Sequence, residues 1–131
     1  MPTQHVPGKR TIQPDGAFDA RTYGFSQGVV VDGVLYISGQ VSAAAGLASQ
    51  VGEAWASVVE VVETAGGSAS SIVKVTVFTV DEAAWTHLQP LIEADTAPDL
   101  PAATMVKVVG LANAQLLVEI EAIAHLPTAT S

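Results

Sequence analysis

An α+β fold, with one β-sheet carrying two helices on one face, is predicted by three observations on the 131-residue sequence. Valine-rich runs at 29–31 and 34–37 flank Asp32-Gly33, a dipeptide that accepts positive φ, which is the pattern of a β-hairpin. From Leu47 the apolar period lengthens to that of a helix, with Leu47, Val51, Ala54, Trp55, Val58 and Val62 on one face and Gln50, Glu53, Ser57, Glu60 and Thr64 on the other. Further β-rich runs fall at 72–79, 102–109 and 116–124, the first two separated by a second helical stretch, so the element order is β-β-α-β-α-β-β.

The elements are punctuated by recognisable breakers. Residues 1–22 form an irregular lead, with turn signals at Pro7-Gly8 and Pro14-Asp15-Gly16, and the irregular character runs on to residue 27. The hairpin stops at Ser38-Gly39-Gln40, where the glycine lets another group approach the backbone. Gly66-Gly67 closes the first helix, and Asp81 is placed to cap the second, which carries Trp85, Leu88, Leu91 and Ile92 inward. Pro90 lacks the N–H that would bond back to Thr86, which predicts a kinked or divided segment there. A loop with two prolines spans 95–101, a turn spans 110–114, and residues 126–131 are a short polar flexible tail.

Composition narrows the functional classes. One domain spanning 1–131 is the natural size for a single core. Five Lys plus Arg against thirteen Asp plus Glu give a net charge of −8, and Lys9, Arg10, Arg21, Lys74 and Lys107 are scattered, which argues against nucleic acid as a partner. The absence of cysteine removes disulfides, thiolate metal sites and a Cys nucleophile, and the first twenty-five residues lack the apolar run of a signal peptide or membrane anchor. A cytoplasmic protein without membrane contact is expected. Small Ala and Val side chains bury little area each, which favours further burial by oligomerisation.

Glu119 and Glu121 stand out. Two residues apart on a strand, their carboxylates share one sheet face about 7 Å apart, together with Leu117 and Ile123. Two readings remain open: ordinary solvated glutamates on a half-exposed face, or a partly dry pocket or subunit interface in which a carboxylate gains a raised pKa and acts as acid or base. Ser26, Ser38 and Thr104 lack a G-x-S-x-G elbow, and His5, His87 and His125 lack metal-ligand spacing. Neither a Ser/His/Asp hydrolase nor a metal site is expected. Trp55 and Trp85 read as core residues.

A set of segments then completes a pattern: Tyr23-Gly24-Phe25-Ser26-Gln27-Gly28-Val29, Ser38-Gly39-Gln40, residues 72–78, Pro101-Ala102, and Val118-Glu119-Ile120-Glu121-Ala122-Ile123-Ala124. Over residues 20–125 the chain resembles the RidA/YjgF family of small trimeric imine and enamine deaminases. The resemblance implies a chorismate-mutase-like fold, a homotrimer, and small-molecule clefts between neighbouring subunits. It gives Glu119 the role of the catalytic glutamate that positions the attacking water. It gives Phe25, Ser38, Gly39, Gln89, Ala103, Thr104 and Met105 substrate-binding positions, with no metal and no cofactor. Where the family pattern has arginine after Pro-Ala this chain has Ala103, and Phe25 stands where many relatives have tyrosine. Losing a guanidinium that grips a carboxylate removes about 1.5–3 kcal/mol of charge-assisted hydrogen bonding. The expected function is therefore hydrolysis of C=N, or related tautomer chemistry, on a substrate not anchored by that arginine. The alternative is a non-catalytic trimeric small-ligand binder.

Overall fold

A computed structural model describes residues 6–128. Its strands are β1 (Arg10–Ile12), β2 (Gly28–Val31), β3 (Val34–Gln40), β4 (Ile72–Thr79), β5 (Ala102–Lys107) and β6 (Val118–His125), and its helices are α1 (Leu47–Thr64) and α2 (Ala84–Thr96). The strands form one six-stranded sheet in the order β1-β2-β3-β6-β4-β5, antiparallel throughout except for the parallel β4–β5 pair.

The hairpin forms where expected, with Asp32 at φ 52° and Gly33 at φ 77° closing the two-residue turn. Alternation along β6 sends Val118, Ile120, Ala122 and Ala124 into the core under the helices and leaves Glu119, Glu121 and Ile123 on the opposite face. Valines from α1 and Leu88 and Ile92 from α2 fill that core. Trp55 lies within it, and its indole N–H donates to Asp95 Oδ2 at 2.7 Å, which pins α1 to α2. The other face of the sheet is open. Tyr36 and Val106 are exposed there.

Five expectations are corrected. The lead of residues 1–22 is not wholly irregular, because Arg10–Ile12 pairs antiparallel with β2, buries Ile12, and is tied to α1 by Arg10 Nη2 donating to Ala65 O at 3.0 Å. Turn signals on both sides had masked three residues of strand. Pro90 does not divide α2, since Pro90 and Thr86 both lie on the exposed side, where water can meet the carbonyl that loses its donor. Asp81 organises the turn before α2 rather than capping it, accepting from Ala83 N at 2.9 Å while Ala83 takes the N-cap position. β5 stops at Lys107 and β6 starts at Val118, and the turn between them is longer than expected. Leu126 is not part of a loose tail: its N–H donates to Gly33 O at 2.8 Å and its side chain packs on the core. His5 and residues 129–131 lie outside the described residues.

Gln50 is a sixth surprise. Its polar side chain suggested the solvent face of α1, yet it is 2% exposed. Its amide donates to Ala44 O and Gln115 O and accepts from Leu117 N, so it ties two loops to the helix with both of its own polar atoms paired. Among the described residues no helix is long and apolar enough to cross a membrane.

Candidate active site

Between Ile37, opposite Ala122, and Gln40, opposite Ile120, β3 carries an extra residue relative to β6. This β-bulge at Ser38-Gly39 turns Gly39 toward the open face, where the side chain of Glu119 lies directly on it. A methyl group added at Gly39 would meet Glu119 Cγ at 2.8 Å and its carboxylate closer still. The missing side chain is what lets the Glu119 carboxylate lie this close to the backbone. Ser38 is committed to the bulge, its hydroxyl donating to Ser26 O at 2.6 Å and its N–H to Gln27 O at 2.9 Å.

Across the sheet Glu119 pairs with Phe78. Half buried between that ring and the bulge, its carboxyl is raised above the ordinary glutamate range, first because burial disfavours its charge and second because Glu121 adds a like charge. Of the two readings open for this face, the partly dry environment holds for Glu119. Glu121, one repeat along, is exposed. Phe25 and Gly39 border a cavity of about 140 Å³ whose wall includes Phe18, Gln27 and Gln40. The exposed ring of Tyr23 packs on Phe18 with centroids 5.4 Å apart.

The remaining expected site residues lie elsewhere. Ala103 pairs with Val75 of the core, so it faces the helix side of the sheet, where it lines a groove of about 200 Å³ with Trp85, Gln89, Ile92, Glu93, Leu100 and Pro101. Trp85, expected in the core, is only half buried and walls this groove. Gln89 donates to Glu93 Oε1 at 3.0 Å, and the groove contains no cation. Met105 is on the same face, half buried against the core. Thr104 points the other way and accepts from Lys74 Nζ at 2.6 Å. Arg21, the cation nearest Phe25 in sequence, is held by Asp19 through two bonds of 2.8 Å. Within one chain, therefore, Phe25, Ser38, Gly39 and Glu119 come together, while Gln89, Ala103 and Met105 form a separate half across the sheet. Sequence reasoning missed the buried Gln27–Gln40 amide pair, which no local pattern announces because each glutamine sits beside serine and glycine.

A mixed sheet with both helices on one face and a half-buried glutamate laid over a glycine bulge between β3 and β6 defines a small α+β protein. The chain belongs to the YjgF/RidA family: the family model described as Endoribonuclease L-PSP matches residues 17–126. Among solved structures it is similar to RidA from the Antarctic bacterium Psychrobacter sp. PAMC 21119, with 31% identity, a TM-score of 0.79, and coverage of 89% of this chain and 99% of that one. A protein of unknown function from Pseudomonas aeruginosa shares 27% identity at a TM-score of 0.80, over 90% of this chain and 92% of the other. A conserved Rid-family protein from Yersinia pestis shares 25% at a TM-score of 0.76, over 90% and 99%.

Proposed function

We propose that this chain is a cytoplasmic Rid-type enzyme that hydrolyses the C=N bond of an imine or of the imine tautomer of an enamine. It works as a homotrimer whose subunit clefts join the two half-sites. The observation that carries this reading is Glu119, half buried over Gly39 with its carboxyl held above the usual range. A glutamate of that kind gives up its proton less readily than a solvated one, which suits a group that takes a proton and hands it back. As carboxylate it takes one proton from water while the water oxygen bonds to the imine carbon, and passes that proton to the nitrogen to give a carbinolamine; it then takes the carbinolamine hydroxyl proton and delivers it to the nitrogen as C–N breaks, giving a carbonyl compound and ammonia. The bulge takes Gly39 out of register with β6, which leaves its backbone beside Glu119 and the reacting atoms. Phe25 supplies an apolar wall.

The trimer is supported by the open sheet face, which leaves Val29, Val31, Tyr36 and Val106 without a covering layer in one chain. It is also supported by the division of the site, because one copy's Ala103 groove cannot reach its own Glu119 through the sheet. Light scattering at micromolar concentration is expected to give three times the 13.4 kDa chain mass. A monomer overturns the shared cleft.

A second reading is favoured by one specific observation, the groove at Ala103 with no cation in it. On that reading the protein is a trimeric binder of small, mostly apolar ligands. Ammonia release from a panel of imines and enamines separates the two: acceleration for any member supports the enzyme, and none, with measurable ligand binding, supports the binder. Ribonuclease activity, which the family description names, is the reading least suited to a chain of net charge −8 with five scattered cations.

A further inference from the structure

Three aromatic rings gather beside the Glu119 corner without being buried: Phe18, Tyr23 and Phe25 are 58%, 73% and 46% exposed. Phe18 and Phe25 line the cavity of about 140 Å³ that Gly39 borders, and Tyr23 packs on Phe18. Phe18 does not sit on a loose segment. Its carbonyl accepts from Gln13 Nε2 at 3.1 Å and from Gln27 Nε2 at 2.8 Å. Gln27 Oε1 in turn accepts from Gln40 Nε2 at 2.8 Å, and Gln40 Nε2 also donates to Ser38 O at 2.9 Å. A buried pair of amides therefore ties Phe18 to the bulge on which Glu119 lies.

The lining of this cavity carries no charge, and the groove at Ala103 has Glu93 as its one charged group. The chain has five cations in all. Four are engaged elsewhere: Arg10 with Ala65 O, Arg21 with Asp19, Lys74 with Thr104 and Lys107 with Glu82. The fifth, Lys9, stands just ahead of the edge strand β1. Lys74 shares the open face with Glu119, but it lies four residues along β4 from Phe78, the cross-strand neighbour of Glu119, a distance of about 13 Å. A further copy of the chain brings the same five cations and no others. A carboxylate at this corner would thus meet Glu119 and Glu121 with no counter-charge.

We propose that Phe18 is a specificity-determining residue of the Glu119 site, and that with Phe25 it selects uncharged imines bearing one ring, or an apolar chain of that bulk, over carboxylate-bearing ones. The proposal rests on the deaminase reading for its chemistry, in which R–CH=NH and water give R–CHO and ammonia with no acid group on R. An apolar cavity of roughly 150 Å³ takes one benzene ring, so the space beside Gly39 suits that bulk. Contact with the two rings takes over the anchoring that a guanidinium gives by charge.

The test uses the full-length protein, isotopically labelled and followed by NMR, titrated with benzamide and with benzoate in high salt, which screens the net charge. The two probes have the same shape, and benzoate alone is charged. The expected result is saturable movement of the Gly39 backbone amide signal by benzamide, with an affinity about tenfold or more above that for benzoate. Phe18→Ala is expected to weaken benzamide binding about tenfold, and Phe18→Tyr, which keeps the ring, to preserve it. The melting temperature should change little in either, since the ring is largely exposed. Equal affinity for benzoate, no movement at Gly39, or undiminished benzamide binding in Phe18→Ala overturns the proposal. Turnover is read separately, as ammonia released from the imine of benzaldehyde and from 2-imino-2-phenylacetate, each formed in situ by a flavin oxidase. A kcat/KM about tenfold or more higher for the first supports the assignment, and equality or the reverse order overturns it. Turnover of neither, with benzamide still preferred over benzoate, defeats the hydrolase reading and leaves selection by Phe18 standing.

Discussion

At the Gly39 corner a carboxylate is pressed onto a residue with no side chain, whereas in the Ala103 groove a residue with almost no side chain leaves about 200 Å³ open beside Trp85 and Gln89. The first place is tight and chemically loaded, and the second is roomy and carries no positive charge. On the proposed function, the contrast separates two tasks. Proton transfer is helped by a poorly solvated group, and the bulge brings Glu119 against the backbone without reference to what is bound. Admission of a substrate depends on what lines the groove, and that lining is where this chain departs from the pattern it otherwise resembles.

The contrast can be broken first at the tight corner. Glu119→Gln is expected to lower turnover of the true substrate about a hundredfold or more while keeping the fold, and Glu121→Gln much less, as rates on one substrate will show. Equal losses would mean the face acts through its total charge rather than through one residue. Next in size is the groove: Ala103→Arg is expected to raise kcat/KM for carboxylate-bearing 2-iminoacids about tenfold or more, with no gain on uncharged imines. A well-folded variant without that gain shows the groove reshaped beyond one lost cation. Gly39→Ala comes third. Its methyl must push the Glu119 side chain aside, which that flexible side chain on the open face can accommodate, so a fall in kcat is expected with little change in denaturant unfolding.

The smallest effect is on pH dependence. Glu119 holds its proton to higher pH in the folded protein than in the unfolded chain, because burial and Glu121 oppose its charge. By linkage its contribution falls as pH rises from the ordinary glutamate value of about 4.3 through the raised one. Thermal melts should therefore place Glu119→Gln slightly above the parent at pH 7 and level with it below about pH 4. A variant that melts lower at pH 7 would show the carboxylate to be stabilising instead.

Much of this contrast could be read from residues alone, and the reasons are local. Asp32-Gly33 fixes its turn by backbone preference, and the β-branched run at 72–79 matches β4 from end to end. The odd pair Glu119 and Glu121 marked the face on which the carboxylate lies. What escaped depended on partners far along the chain. Arg10–Ile12 is too short to declare itself and becomes a strand through β2 and Ala65. Gln50 is inward because Ala44, Gln115 and Leu117 need its amide. The split of the site could not be seen either, since it follows from the pairing of Ala103 with Val75, a register set by the parallel β4–β5 contact rather than by any motif.

The strand order carries a consequence of its own. β6 lies between β3 and β4, so the piece formed by β1, β2 and β3 and the piece formed by β4 and β5 share no strand pairing until β6 is inserted. The two halves can each collapse early on local contacts, but the sheet closes only when a segment synthesised after all the other strands finds its slot between two unpaired edges. Such long-range closure makes folding slow for a chain of this size and leaves those two edges exposed to other nascent copies in the interval.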